Sequence, residues 1–441
     1  MQISKFLIAR GLINLDDVAK ASEHQREAGG RLDDGLVALG LLSQEQLDEA
    51  HAYWPASPLS IEECGTPQST LMSLLLKLMH VEQRDTPAAL MDGLKLSYNL
   101  VKEMLDDAVE LKWMELLGAG TSGGTGGVGG VANMRYALTG RGREAADQAQ
   151  TQSHYVGPAP VSLEAYQKQI EKQAIASERV GEARIAESFS DLVVAENFAH
   201  QIGPAVNAGR AMLLYGAAGN GKTSVATRIA SIFSDIIFVP YCIEVDGQII
   251  VIHDASVHLP FEWIDLETAL PDLNKALRRD DIDQRWVACR RPTVLVGSEL
   301  TLDMLDLAYS EVSRFYEAPV QIKALNGTLI IDNFGRQIVS PERLLNRWIV
   351  PLESGIDTFR LKTGRAISIP FDMLLIFATN LEPSALIGPA FLRRIPYKIE
   401  LFGPTVEEYR RVFEQAAAAA GMELPDDILK GLSQITRINS L

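Results

Sequence analysis

The residues best suited to chemistry form a glycine-rich turn within residues 211–232, AMLLYGAAGNGKTSVATRIASI. The turn fits the pattern G-x-x-x-x-G-K-T, in which Gly216 opens the turn and Lys222 and Thr223 close it. Glycines let several backbone N–H groups point at one phosphate, the lysine adds a cation, and the threonine hydroxyl can bind Mg²⁺. A helix beginning at Lys222 would aim its positive end at the anion. The predicted nucleotide-binding residues are Gly216, Gly219, Asn220, Gly221, Lys222, Thr223 and Ser224.

Polar residues at two later strand ends fit the same site. Asp332 ends the apolar run TLIID and would complete a metal site with Thr223. Asn333 follows where many ATPases carry a glutamate that polarises the attacking water, and an amide can orient water but cannot take its proton. Asn380 ends the run LLIFATN and would bind the terminal phosphate or the water, with a strand-end cap as the alternative.

Two adjacent arginines, Arg393 and Arg394, follow in the stretch FLRRIP. An arginine beside the terminal phosphate held by a neighbouring subunit stabilises the charge of the transition state. We therefore include both arginines among the catalytic candidates. A surface or helix-end salt bridge is the alternative role for the pair.

The composition sets the class of protein. The 441 residues carry a formal net charge of −16, and 47% of them are hydrophobic. The apolar fraction is ordinary for a globular protein, and the length fits about two to four domains. The acidic charge disfavours a broad nucleic-acid-binding surface. Cys64, Cys242 and Cys289 are few and scattered, which predicts reduced thiols. With no signal peptide and no apolar run of about 18 residues, we expect a cytosolic protein without a membrane span.

An internal repeat occupies residues 1–54. Gly11 matches Gly40 at an offset of 29 residues (40 − 11), and three apolar pairs match at the same offset. Each copy predicts a helix, a glycine turn and a second helix, with Asn14 or Ser43 near the second N-cap. A short duplicated helical pair must bury its apolar faces against its twin.

The spacing of this repeat resembles the N-terminal domain of type II secretion and type IV pilus assembly ATPases. Part of that family binds cyclic-di-GMP through two copies of the motif R-L-G-x-x-L-x-x-x-G-L-[IL]. Here the second copy begins RLD and the first begins QIS, so both copies depart from the motif. The resemblance implies a cyclic-di-GMP site at Arg31, Leu32, Gly40 and Gly11, although Asp33 would repel phosphate. A helical docking module without a ligand is the alternative.

The segment 71–149 predicts three helices and a two-stranded hairpin. The helices are predicted at 71–81, 87–94 and 97–111, and the strands at KWMELL and RYALT, with a glycine-rich loop between them. This order is typical of a winged helix, whose third helix commonly enters a DNA groove. Here that helix carries four acidic residues, Glu103, Asp106, Asp107 and Glu110, against Lys102. We therefore expect a protein contact or oligomer packing rather than DNA binding.

Strands and helices alternate from about residue 177 onward. We predict strands at 211–215, 236–242, 328–332, 374–380 and 397–401, and a hairpin through the Asp246-Gly247 turn. Such alternation implies a mostly parallel sheet with helices on both faces. Ligands of such sheets bind at the carboxyl ends of the strands.

The motifs GAAGNGKT, LIIDN, FATN and FLRRI, in this order and spacing, resemble the AAA+ ATPases from about residue 193 to the end. The MoxR-like and helical-insert types are the nearest kin. The resemblance implies ATP and Mg²⁺ as ligands, a ring of subunits that is commonly a hexamer, and nucleotide-driven remodelling of a protein partner. It also implies that Asn380 senses the terminal phosphate and that Arg393 or Arg394 acts on the neighbouring subunit.

The chain departs from that family pattern at two places. Asn333 replaces the usual acidic residue, and Glu353 is one candidate substitute for it. A helical lid should follow the last strand, and Thr405 is the expected N-cap of its first helix, with a second, proline-led helix after it. A sensor arginine is not evident before Leu441, and Arg437 is a weak candidate.

The sequence therefore predicts a multidomain chain. Its segments are a small all-α repeat domain (1–54), a linker (55–70), a winged-helix α+β domain (71–149), a second linker (150–176), an α/β P-loop AAA+ core (177–403) and the start of a helical lid (404–441). The leading hypothesis is a cytosolic AAA+ P-loop ATPase with two N-terminal regulatory modules, and the resemblance of the first module implies a link to pilus or secretion assembly and to regulation by cyclic-di-GMP. The alternatives are a nucleotide-gated binding switch with little turnover and an ATP-dependent DNA-binding regulator.

Overall fold

The computed structural model describes residues 2–119, 134–193, 198–270, 282–386, 388–419 and 421. These residues form two compact units. Unit 1 comprises Met1–Gln173, Ile236–Arg290 and Leu307–Pro319, and unit 2 comprises Ala174–Asp235, Arg291–Asp306 and Val320–Leu441. The chain therefore passes from one unit to the other five times, after residues 173, 235, 290, 306 and 319.

The described helices are α1 (Gln2–Ala9), α2 (Leu15–Ala28), α3 (Leu32–Ala38), α4 (Gln44–Tyr53), α5 (Gln68–Val81), α6 (Pro87–Leu94), α7 (Tyr98–Glu110), α8 (Gly140–Gln152), α9 (Leu163–Lys172), α10 (Glu182–Ser188), α11 (Phe198–Ala208), α12 (Lys222–Ser231), α13 (Leu266–Ala269), α14 (Val320–Lys323), α15 (Pro341–Ser354), α16 (Pro383–Leu386), α17 (Pro389–Leu392) and α18 (Val406–Ala419).

The described strands are β1 (Met114–Ala119), β2 (Met134–Leu138), β3 (Val161–Ser162), β4 (Met212–Tyr215), β5 (Ile236–Pro240), β6 (Cys242–Val245), β7 (Gln248–Val251), β8 (Trp286–Arg290), β9 (Thr293–Val296), β10 (Ala308–Tyr309), β11 (Tyr316–Glu317), β12 (Thr328–Ile331), β13 (Ile356–Arg360), β14 (Ala366–Pro370), β15 (Leu374–Thr379) and β16 (Tyr397–Glu400). Within these residues no helix has the length and apolar character needed to span a bilayer.

The N-terminal repeat has the predicted helix, glycine turn and helix in both copies. The Asn14 and Ser43 side chains accept the backbone N–H groups of Asp17 and Gln46, at 3.0 and 3.1 Å. The Asp17 and Gln46 side chains in turn accept the backbone N–H groups of Asn14 and Ser43, each at 3.0 Å. These reciprocal bonds satisfy N–H groups that the first turn of a helix leaves unpaired. Gly11 and Gly40 share a φ of +68°. The predicted caps are therefore confirmed, and the two turns are alike in geometry.

The remainder of unit 1 joins the middle helices to strands from much later in the chain. The three predicted helices are present as α5, α6 and α7, and β1 pairs antiparallel with β2. Their apolar core also takes in Cys242 and Ile249 from the β6–β7 hairpin, which turns at Asp246 and Gly247 as predicted. That hairpin belongs to a five-stranded sheet of order β10-β11-β7-β6-β3. The winged-helix designation stays a prediction, and residues 120–133 lie outside the described part of the predicted wing.

The strand predicted at 236–242 was assigned to the wrong sheet. β5 pairs antiparallel with β8 inside unit 1, and β9 occupies the outer place in the nucleotide-site sheet. Side chains of unit 1 bind the β5 backbone: the Gln173 amide exchanges two hydrogen bonds with Phe238, at 2.9 and 3.1 Å, and Tyr53 donates to the Ile236 carbonyl at 2.6 Å. Both segments are short apolar runs, so that periodicity alone could not tell which sheet each would join.

Unit 2 contains the predicted parallel sheet. Its order is β16-β4-β15-β12-β9, and every neighbouring pair is parallel. The lid helix α18 begins as predicted, because Thr405 accepts the Glu408 N–H at 3.2 Å and Glu408 accepts the Thr405 N–H at 2.7 Å. The second lid helix and Arg437 lie outside the described residues.

The three cysteines are free thiols, as predicted. Cys64, Cys242 and Cys289 are all buried and none is in a disulfide. Burial raises the pKa of Cys242 and of Cys289 to about 12, so both are protonated at neutral pH. They act as small apolar side chains.

Candidate nucleotide-binding site

The predicted phosphate-site residues lie together at the carboxyl ends of the parallel strands. Tyr215 lies opposite Thr379, and Ile331 lies opposite Phe377, so the carboxyl ends of β4, β15 and β12 are neighbours. Gly216, Asn380 and Asp332 are the next residues of these three strands. The structure therefore places the glycine-rich turn, the candidate sensor and the candidate metal ligand along one sheet edge. Parallel α/β sheets bind ligands at this edge.

The glycines of the turn adopt backbone conformations that side chains rarely allow. Gly216 has a φ of +141°, and a Cβ added there would lie 2.2 Å from the Leu401 carbonyl oxygen. Gly219 and Gly221 have φ of +86° and +72°. Asn220 donates its side-chain amide to the same Leu401 oxygen at 2.7 Å. The turn is thus held against the end of β16 and needs glycine at its first position.

The Lys222 ammonium lies inside the turn. Its Nζ donates to the carbonyls of Gly216 and Ala217, at 3.0 and 2.7 Å, and only 8% of the residue is exposed. Burial lowers the pKa of Lys222, and the nearby Asp332 carboxylate opposes that change. A cation is therefore fixed where the turn would receive phosphate oxygens, at the N-terminus of the ten-residue helix α12. Ser224 follows in the first turn of that helix and is exposed.

Thr223 and Asp332 meet although 109 residues separate them. The Thr223 hydroxyl donates to Asp332 Oδ2 at 2.9 Å, and Asp332 Oδ1 accepts the Asn333 N–H at 2.8 Å. A hydroxyl and a carboxylate are the oxygen ligands that Mg²⁺ takes beside phosphates. The donor set therefore fits a magnesium ion, which Thr223 and Asp332 would hold.

Asn333 and Asn380 are both exposed at this edge. Asn333 has a φ of +50°, a conformation that asparagine tolerates better than most residues. The turn that contains Asn380 is fixed by Thr379, which donates to the Phe334 carbonyl at 2.7 Å and accepts the Leu381 N–H at 3.1 Å. The sequence pattern held no signal for this role of Thr379.

The turn after β9 reaches the same edge. Asp332 donates its N–H to the Val296 carbonyl at 2.8 Å, and Gly297 donates its N–H to Glu299 Oε1 at 2.7 Å. The Gln337 amide donates to the carbonyls of Asp332 and Gly297, at 3.1 and 3.3 Å, and so connects the two turns. Glu299 and Gln337 were not among the predicted site residues, and β9, which leads to Glu299, was not a predicted strand.

Arg393 and Arg394 lie at the other end of the parallel strands, beside their amino ends. Arg393 and Arg394 line a cleft of about 820 Å³ with Arg210 and Glu353, beside residues that precede β4, β15 and β16. Arg394 forms an ion pair with Glu353 at 2.6 Å. Arg393 is exposed and makes no ion pair with another described residue.

This placement corrects the prediction for Glu353. Glu353 lies beside the amino ends of the strands, so its carboxylate cannot replace the acid that is missing at Asn333, which follows the carboxyl end of β12. The same placement separates both arginines from the phosphate site of their own chain.

The four candidate dinucleotide residues do not line one cleft together. Arg31 lines a cleft of about 1060 Å³ within unit 1, but Leu32, Gly40 and Gly11 do not. The charged side chains of its lining are Arg31, Asp33, Asp34, Asp48, Lys95 and Asp283, together with His51. Asp33 accepts a hydrogen bond from Arg31 at 3.1 Å; burial opposes ionisation of Asp33, yet its pKa is lowered by this pair. Four carboxylates beside two basic groups disfavour an anionic ligand, and cyclic-di-GMP binding stays a prediction of the resemblance.

No protein-family model matches the chain, and no curated protein matches it in sequence. A cryo-EM-based model of the BchI and BchD subunits of magnesium chelatase is 17% identical over 55% of this chain and 65% of that chain, with a TM-score of 0.33. NtrX from Brucella abortus is 13% identical over 66% of this chain and 58% of that chain, with a TM-score of 0.32. The alignments span less than two thirds of either structure's chain.

Proposed function

We propose that the chain binds Mg-ATP at the Gly216–Thr223 turn and hydrolyses it as an AAA+-type ATPase. The observation that carries this proposal is the 2.9 Å contact between Thr223 and Asp332. It joins the end of the turn to the acidic strand end, next to a lysine ammonium held inside the turn. A plain glycine turn gives no reason for a buried cation and a hydroxyl–carboxylate pair to converge at the carboxyl edge of a parallel sheet.

The site residues divide the work of binding and orientation. Backbone N–H groups of the turn and the Lys222 ammonium would bind the β- and γ-phosphates. Thr223 and Asp332 would hold Mg²⁺, which when bound neutralises charge on those phosphates. Asn380 follows β15, the strand between β4 and β12, and would donate its amide to the γ-phosphate or orient the attacking water.

Phosphate release and nucleotide binding test the proposal. The wild type is compared with Lys222→Ala and with Lys172→Ala, a matched control on an exposed lysine of α9. Turnover of Mg-ATP that is lost in Lys222→Ala and kept in Lys172→Ala supports the proposal. A wild type that does not bind a fluorescent ATP analogue, at nucleotide concentrations up to about 1 mM, would refute it.

A ring assembly belongs to the same proposal. The arginine pair lies at the amino edge, whereas its own chain's phosphate site lies at the carboxyl edge. Arg393 or Arg394 therefore fits a role on the nucleotide of a neighbouring subunit. A hexamer that remodels a protein partner is the assembly that the family resemblance implies, and light scattering with and without ATP measures the number of subunits.

A nucleotide-gated binding switch is the second candidate. Asn333 favours it, because an amide cannot accept the proton of the attacking water. ATP binding without turnover in the wild type, and turnover in Asn333→Glu, would support the switch over the ATPase. DNA binding is disfavoured, because α7 carries its four acidic residues against one lysine.

A further inference from the structure

A second carboxylate, that of Glu299, lies in the turn after β9, the strand next to the one that ends at Asp332. β9 and β12 are parallel neighbours with Val296 opposite Ile331, so both strands end at the same level. The chain then turns back, and Glu299 Oε1 accepts the Gly297 N–H at 2.7 Å. The Glu299 carboxylate therefore lies over the end of β9.

The turn that carries Glu299 follows the strand next to the one that ends at Asp332. A Cβ added to Gly297 would lie 2.8 Å from Glu299 Oε2, so the carboxylate covers the first residue after β9. Neighbouring strands lie about 4.8 Å apart, whereas adjacent residues of one chain have Cα atoms about 3.8 Å apart. The end of β9, over which the Glu299 carboxylate lies, is therefore about as far from the Asp332 backbone as the next residue of the chain, Asn333.

Gln337 fixes the two turns together. Its amide nitrogen donates to the Asp332 and Gly297 carbonyls, and its oxygen accepts the Gly335 N–H at 2.8 Å. Only 9% of Gln337 is exposed. A buried amide with three bonds holds the β9 turn and the Asp332 turn in one arrangement, so the backbone that carries Glu299 is fixed relative to Asp332.

We propose that Glu299 supplies the carboxylate that Asn333 lacks and activates the attacking water of ATP hydrolysis. This inference rests on the proposed ATPase function. The water oxygen forms a bond to the γ-phosphorus while the bond from that phosphorus to the β–γ bridging oxygen breaks, and ADP leaves with the electron pair. Glu299 accepts the proton of the water, which then passes to the phosphate product. Asn333 orients the water beside it.

The other acids near the phosphate site fit this role less well. Glu353 lies at the opposite edge, paired with Arg394. Glu400 ends β16 opposite Tyr215 of β4 and accepts the Tyr215 hydroxyl at 3.4 Å, and Glu382 follows β15. Burial raises the pKa of Tyr215, and both carboxylates raise it further. The N–H groups of Gly297 and of Glu299 itself lower the pKa of Glu299, so the carboxylate is ionised at neutral pH.

The test measures phosphate release and ATP-analogue binding in parallel. The variants are Glu299→Gln, the matched control Glu382→Gln, and Glu299→Gln combined with Asn333→Glu. Glutamine keeps an oxygen for the Gly297 N–H but cannot accept the proton. A positioned general base contributes about 10²- to 10⁴-fold. We expect Glu299→Gln to lose at least about 100-fold in kcat, with the Kd for nucleotide changed less than about threefold.

The control and the double variant complete the design. Glu382→Gln should keep wild-type turnover, and adding Asn333→Glu should restore activity to Glu299→Gln, because the acid returns to its usual place. Turnover of Glu299→Gln within about tenfold of the wild type overturns the inference and leaves the ATPase proposal intact. A wild type that binds ATP without turnover also overturns it, in favour of the switch. A wild type that does not bind ATP overturns both proposals.

Discussion

Arg393 should act on the nucleotide of a neighbouring subunit, and two inactive variants should restore each other. The four residues of β4, at about 3.3 Å each, separate the two sheet edges by about 13 Å. A guanidinium must approach a phosphate oxygen to about 2.8 Å to bind it. Arg393 therefore cannot serve the P-loop of its own chain, whereas it is exposed for contact with another chain.

The expected loss follows from the charge that this arginine would contribute. An arginine finger is worth about 10³- to 10⁵-fold in kcat, or about 4 to 7 kcal/mol, so Arg393→Ala should be nearly inactive while still binding ATP. Arg394 is paired with Glu353, so Arg394→Ala should lose less.

Mixing distinguishes action between subunits from action within one. Arg393→Ala keeps an intact P-loop, and Lys222→Ala keeps an intact arginine. In a random one-to-one mixture, half of the P-loops are intact, and half of these face an intact arginine (½ × ½). Phosphate release should recover to about one quarter of the wild-type rate per subunit. A mixture that assembles together, as shown by fluorescence transfer between labelled variants, and yet gains no activity would refute the reasoning.

Three further outcomes follow from buried or crowded positions. Gly216→Ala should weaken binding of a fluorescent ATP analogue at least about tenfold, since its Cβ would lie 2.2 Å from the Leu401 oxygen; unchanged affinity would contradict the required close approach. Arg285→Met should lower the free energy of unfolding by about 3–5 kcal/mol in denaturant titrations, because it removes the ion-pair partner of Asp283, which is only 3% exposed. Adding Asp283→Leu removes the unpaired carboxylate and should recover the lost stability. A double variant that stays as unstable as Arg285→Met would show that the loss comes from packing and not from the unpaired charge. Burial lowers the pKa of Lys77 to about 8 from 10.5, so the cost of its buried charge is present below pH 8 and disappears as the pH rises towards 10.5. The free energy of unfolding of the wild type, compared with that of Lys77→Met, should therefore rise by about 3 kcal/mol between pH 7 and pH 10.5 (2.5 units at 1.36 kcal/mol each). A difference between the two proteins that does not change with pH would show that the Lys77 ammonium is not desolvated.

Local signals predicted much of the fold. The glycine turn, the N-caps at Asn14 and Ser43, and the Asp246–Gly247 hairpin depend on a few neighbouring residues, and the structure confirms their placement. The parallel sheet was also predictable, because apolar strands alternate with helices. At the sheet edge, Gly216, Asn380 and Asp332 followed from one rule, that parallel strands end together.

The errors concern choices made over long sequence separations. The run at 236–242 could join either sheet, and its partners Tyr53 and Gln173 lie at least 63 residues earlier (236 − 173). Glu353 was a candidate because it is an acid within the right segment, but helix α15 delivers it to the opposite edge. The pairing of β5 is not encoded by periodicity or spacing, since it depends on which side chains bond the backbone groups of that strand.

The five passages of the chain between units have a consequence for biosynthesis. A ribosome releases residues 1–173 long before β5 to β8 and residues 307–319, yet the core of the first unit needs all three stretches. The partner of β3 is β6, and the partner of the Gln173 amide is β5; both are translated at least 60 residues later (236 − 173 = 63). The nascent chain therefore exposes apolar helix faces until most of the protein has emerged, which makes early chaperone contact an expected part of its maturation.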